Sequence, residues 1–100
     1  MPIMQMGGYI YILTNAHHSV RYTGVTSQLV KRIGEHKNHF YKNSFTDRYN
    51  IEFLFYYESY GHIQDAIDRE KVVKKLNRQR KIDLINSLNP EWKDLWDEIS

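Results

Sequence analysis

Apolar positions along this chain first fall in alternating or unbroken runs and later recur at every third or fourth residue. Gly8-Tyr-Ile-Tyr-Ile-Leu-Thr14 is an aromatic and β-branched run, which predicts a strand. Asn15-Ala-His-His-Ser19 reads as a turn and Val20-Arg-Tyr-Thr-Gly-Val25 as the partner strand, an antiparallel hairpin with a five-residue loop. A helix should follow, with Thr26 or Ser27 as N-cap and Leu29, Ile33, His36 and Phe40 as its inward stripe. Tyr41–Asn50 mixes Lys, Asn, Ser, Thr and Asp and predicts a surface loop, and Ile51–Glu58 is a third strand by composition. Helical spacing returns from His62 to about Leu76 (Ile63, Ala66, Ile67, Val73) and over Arg78–Leu88 (Ile82, Leu84, Ile85, Leu88). A last helix is expected from Pro90, with Trp92, Leu95, Trp96 and Ile99 inward. The pattern predicts an α+β fold, a small three-stranded antiparallel sheet flanked by helices.

Composition narrows the class. At 100 residues one core is expected, a single domain over 1–100 with its core at about 8–96. Hydrophobic residues at 41% and charged residues at 26% exclude wholesale disorder. No apolar run nears the roughly 20 residues that span a bilayer, and residues 1–8 lack the basic-then-apolar order of a signal peptide. With no cysteine, disulfides, thiolate nucleophiles and thiolate zinc sites are excluded, which fits a cytoplasmic location. Fourteen basic against twelve acidic residues leave +2, too little to name a partner by itself.

Several side chains could carry chemistry. Glu70 follows Ala66 and Ile67 by one turn and precedes Val73, so it joins an apolar stripe, where a carboxylate is costly unless paired or bound to a cation. The plainer reading pairs it with Lys74 on the next turn. Arg32 and His36 lie four apart and project together, a guanidinium beside an imidazole that suits a phosphate, although two solvated side chains would show the same spacing. Tyr11 and Tyr22 lie on the two hairpin strands and are by default a cross-strand packing pair. A phenol, with a reference pKa of about 10, needs nearby positive charge or metal to act as a base. Arg69, Lys71, Lys74, Lys75, Arg78, Arg80 and Lys81 form a basic run that could track a phosphate backbone or be the solvated face of two helices. Asn89, before Pro90, reads first as an N-cap, and His17, His18, His39 and His62 show no ligand spacing.

Taken in order, Tyr9-Ile10-Tyr11, Tyr22-Thr23-Gly24, Arg32 with His36, and a helical Glu70 resemble the GIY-YIG nuclease family. Ala66-Ile-Asp-Arg-Glu-Lys71, the basic stretch after it and Asn89-Pro-Glu-Trp-Lys-Asp-Leu95 are similar to its small stand-alone bacterial branch. The resemblance implies that Tyr11 and Tyr22 are the two motif tyrosines, that Gly24 closes the second motif and that Arg32 contacts the scissile phosphate. It matches His36 to a histidine of some members and Glu70 to the anchor of one divalent cation, Mg2+ or Mn2+. A late site asparagine is Asn89, with Asn86 as the alternative. Two positions depart from the motifs: Tyr9 replaces a glycine and Thr23 an isoleucine, neither a reactive group. Val25 stands where some relatives have Lys or His, which leaves Tyr22 or the cation's water to assist Tyr11. The implied function is a metal-dependent endonuclease of low sequence specificity acting on DNA, in repair or processing, with nucleic acid as partner and no membrane. Two alternatives remain beside it: a binding module that keeps the fold with little catalysis, and an RNA-directed nuclease. Oligomeric state is left open.

Overall fold

The computed structural model describes residues 7–100, so the reading of the opening stretch as no signal peptide falls mostly on residues 1–6, outside the described residues. Its strands are β1 (Gly8–Thr14), β2 (Arg21–Thr26) and β3 (Phe53–Tyr60). Its helices are α1 (Leu29–Lys37), α2 (Phe45–Arg48), α3 (Ile63–Lys75), α4 (Arg78–Leu88) and α5 (Trp96–Ile99). The sheet is three-stranded and antiparallel, as the sequence pattern predicts, and its strand order is β2-β1-β3.

Strand β1 is central and covered on both faces, which is why its sequence is an unbroken apolar run. Ile10 and Ile12 point to one side, where Ala66 and Val73 of α3 and Ile85 of α4 close the core. Tyr11 and Leu13 point to the other, against Leu29 and Ile33 of α1 with Ile51, Leu54 and Leu95. A bulge between Ile12 and Leu13 resets the register with β3. The hairpin loop is closed by one side chain: Asn15 Oδ1 accepts the backbone N–H of Ser19 at 2.9 Å and of Val20 at 3.2 Å.

Four expectations need correction. Thr26 is the last residue of β2 and its hydroxyl oxygen accepts the N–H of Gln28 at 3.0 Å, so α1 starts at Leu29 rather than after a Thr26 or Ser27 cap. Helix α1 stops at Lys37, and His39 takes a left-handed φ of 53°, so Phe40 leaves the inward stripe and is 64% exposed. The 41–50 segment is not structureless: Ser44 caps α2 by accepting the N–H of Asp47 at 3.2 Å.

The helix expected from Pro90 does not form there. Asn89 ends α4 and binds Lys93 twice, its Nδ2 donating to the carbonyl at 2.7 Å and its Oδ1 accepting the N–H at 3.0 Å. Trp92 has a φ of 53°, outside any right-handed helix. The segment then bonds across β3, Leu95 N–H to Leu54 O at 2.7 Å. Trp92 therefore packs on the α3/α4 face, while Leu95, Trp96 and Ile99 pack on the α1 face. Their apparent single stripe is split across the end of the sheet.

Candidate active site

Tyr11 stands at the middle of β1, opposite Gly24 of β2, and is fully buried. A Cβ at position 24 would overlap the Tyr11 ring and hydroxyl, so only glycine lets the ring lie there. Its Oη meets His36 Nε2 at 3.2 Å, and His36 Nδ1 meets Thr46 Oγ1 at 3.2 Å. Ser44 Oγ extends the chain, 3.3 Å from Thr46 Oγ1. With Tyr11 donating to Nε2, the imidazole carries its hydrogen on Nδ1 and donates it to Thr46.

Burial, with Arg32 next and Glu35 opposing, pushes the His36 pKa down to about 4, so the ring is neutral at pH 7. Burial, reinforced by Tyr22 and opposed by Arg32, raises Tyr11 well above the ordinary tyrosine value. Tyr11 is thus a phenol at rest whose proton points at a neutral imidazole.

Arg32, one turn before His36, is held only loosely. Its Nε lies 3.5 Å from Glu35 Oε1, its side chain is 38% exposed, and its guanidinium sits 5.6 Å from the centre of the Tyr41 ring. Tyr22, Arg32, His36, Tyr41, Ser44, Phe45 and Thr46 line one open pocket of about 340 Å³. Tyr22 lies on its wall, whereas Tyr11 lies behind it, ring centres 6.2 Å apart. Four predicted residues, Tyr11, Tyr22, Arg32 and His36, are therefore brought together. Thr46, Ser44 and Tyr41 were missed. The capping pattern Ser44-Phe-Thr-Asp47 marked the turn, but nothing local said that Thr46 would reach His36.

Glu70 lies on α3, on the opposite face of the sheet from α1, and no hydrogen bond or ion pair among the described residues joins it to Tyr11, Tyr22, Arg32 or His36. Strand β2 is one edge of the sheet and β3 the other. The Glu70 carboxylate is 12% exposed and pairs with Lys74 Nζ at 2.8 Å. Lys74 feels both this pair and Tyr22, each raising its pKa, which sets the pair beside β2. Among the described residues no three His, Asp or Glu side chains gather as a metal-ligand set. One nearly buried carboxylate suits a hard cation that keeps most of its water, as magnesium does.

The remaining expected residues divide. Asn89 is buried away from the pocket, bound to the Phe55 carbonyl at 3.1 Å and to Lys93, so it locks the 89–95 turn and is not the N-cap expected. Asn86 accepts Trp92 Nε1–H at 2.6 Å and belongs to the same turn. In the basic run, Arg69 is not free: Nε and Nη2 donate to the two Glu58 oxygens at 3.0 and 3.2 Å. Lys71, Lys75, Arg78 and Arg80 are exposed. Arg21 of β2 joins this run unannounced, since its pKa is lowered by burial and then by Arg78, and that of Lys81 by burial and then by Arg21.

Residues 7–83 match the GIY-YIG catalytic domain. A UPF0213 protein of Clostridium perfringens is 38% identical over 79 residues, covering 79% of this chain and 83% of that protein. Another UPF0213 protein, from Syntrophus aciditrophicus, is 32% identical, covering 83% and 93%. The solution NMR structure of a UPF0213 protein from Bacillus halodurans superposes with a TM-score of 0.55 at 25% identity, over 88% of this chain and 92% of that one. No helix among the described residues is long and apolar enough to cross a membrane.

Proposed function

The chain belongs to the GIY-YIG family, and from that premise we propose that it is a divalent-metal-dependent endonuclease that hydrolyses DNA phosphodiester bonds with low sequence specificity, serving DNA repair or processing. The observation that carries this reading is the Tyr11–His36–Thr46 hydrogen-bond chain running behind a pocket that also presents a loosely held Arg32. Arg32 holds the scissile phosphate, exchanging a weak contact with Glu35 for a charge-assisted fork on phosphate oxygens. Tyr11, ionised when positive charge gathers beside it as Arg32 already provides in part, would take the proton of the attacking water as the new P–O bond forms and the old one breaks. The departing oxygen takes a proton from solvent, while His36 keeps its hydrogen bond to the Tyr11 oxygen. Thr46 keeps the imidazole in the tautomer whose Nε2 can accept. Glu70 would hold the cation, and when bound such an ion supplies charge stabilisation for the departing oxygen. Exposed lysines and arginines contact backbone rather than base edges, which is the ground for low specificity.

One observation favours a second assignment of the base: Tyr22, not Tyr11, lines the pocket. In that reading Tyr22 meets the water and Tyr11 only orients His36.

The test is nicking of supercoiled plasmid. Wild type should give nicked circles with Mg2+ and none in a chelator. Glu70→Ala should remain folded, because alanine is the strongest helix former and the half-exposed Lys74 left behind keeps its water, and should lose cleavage. A fully active Glu70→Ala protein returns Glu70 to its structural pair with Lys74.

A further inference from the structure

Among the described residues, every exposed aromatic of large apolar surface lies in one short segment: Phe40 (64%), Tyr41 (37%), Phe45 (42%) and Tyr49 (49%). None belongs to either core cluster, so packing does not account for them. Two of them, Tyr41 and Phe45, line the pocket that holds Arg32 and His36. Their rings are held in place before any ligand arrives. Tyr41 donates its hydroxyl hydrogen to Glu35 at 2.7 Å and lies under the Arg32 guanidinium, and Phe45 leans on Tyr49 with ring centres 4.9 Å apart.

The chemistry beside these rings says what they meet. A phosphate on Arg32 carries its own sugar and base into the pocket, and at about 340 Å³ the pocket is of a size for one small ligand group, not a duplex. Aromatic faces next to a cation are the surface on which single-stranded nucleic acid stacks its bases, while a base inside a duplex has both faces covered. Resting on the nuclease reading, we propose that Tyr41 and Phe45 form a base-stacking slot for an unpaired nucleobase adjoining the phosphate at Arg32. The preferred substrates are then single strands, flaps and loops rather than continuous duplex.

The experiment is fluorescence anisotropy with the full chain in chelator, so that nothing is cut. The probes are a labelled oligothymidylate, a duplex of equal phosphate number, and the same single strand with abasic nucleotides. Wild type should bind the single strand more tightly than the duplex. Phe45→Ala and Tyr41→Ala should weaken single-strand binding about 5- to 150-fold, the span of one missing stack. Duplex and abasic binding should move less than about twofold, because their phosphate contacts are untouched. Tyr41→Phe, which keeps the stacking face and loses only the Glu35 bond, should bind the single strand closer to wild type than Tyr41→Ala does. Equal losses on all three probes, or none, overturn the slot. So does a wild-type dimer in sedimentation that Phe45→Ala turns into monomer, which would assign the patch to a second copy of the chain. A protein that shows the stacking signature yet never cuts keeps the slot and loses the nuclease reading; one that cuts duplex and single strand alike, indifferent to Phe45→Ala, does the reverse.

Discussion

Gly24 faces Tyr11 across the ladder, where a Cβ would strike the ring and its hydroxyl. Gly24→Ala should therefore push the Tyr11 Oη away from His36, destabilise the protein by about 1–3 kcal/mol as overpacking does, and abolish cleavage. Urea melts with a nicking assay check this, and an unchanged midpoint with full activity would show that the ring has room. The two motif departures are explained on the same scale. Thr23 is buried opposite Ile12 and contributes only packing to the α3/α4 face. The glycine missing at Tyr9 has a neighbour in Gly8, where a Cβ would lie 2.9 Å from that of Ala66, so α3 crosses the sheet there. Arg32 and His36 were legible because helical spacing alone makes them neighbours. The pKa directions were not, since they follow from burial that no sequence window contains.

Elements set by their own periodicity were legible, and those set by distant partners were not. The boundaries of α4 follow from its Asn77 cap, which accepts the N–H of Arg80 at 2.9 Å. The 89–95 turn was misread because Asn-Pro is locally a helix start, while the bonds of Asn89 and Asp94 to other segments decide otherwise. Helix α2 matters most for function, since it brings Thr46 to His36. His39 fastens it: Nδ1 lies 2.8 Å from Asp47 and Nε2 2.6 Å from Glu52, joining α2 to the start of β3. These two carboxylates raise the His39 pKa. A raised folded pKa means that the stabilisation is fully present below the ordinary histidine value of about 6.5 and is lost as pH rises through the folded value. Wild-type Tm should accordingly fall as pH rises above about 6.5 more than that of His39→Asn, a residue that tolerates the left-handed φ. Parallel curves in thermal melts over that pH rise would remove His39 as the clamp.

On the scale of the whole molecule, a net charge of +2 conceals an uneven surface. Glu58 neutralises Arg69 and Glu70 engages Lys74, so the free basic surface is concentrated at Arg21, Arg78 and Lys81 with Lys71, Lys75 and Arg80 nearby in sequence. Arg21→Ala, Arg78→Ala and Lys81→Ala together should flatten the log–log salt slope of duplex binding by about one unit for each phosphate that is no longer neutralised. An unchanged slope would leave these residues as a solvated face. The sequence order of the tyrosines, Arg32, His36 and Glu70 made the overall design legible, while the position of Glu70, away from the Tyr11 face, needed the fold. The most direct test of the account is single-turnover cleavage of supercoiled plasmid with Mg2+ by Tyr11→Phe, which removes one oxygen from a buried ring. Tyr11→Phe should fold, bind DNA as wild type and fail to cut it. Wild-type cleavage by Tyr11→Phe would contradict the assignment of Tyr11 as the base.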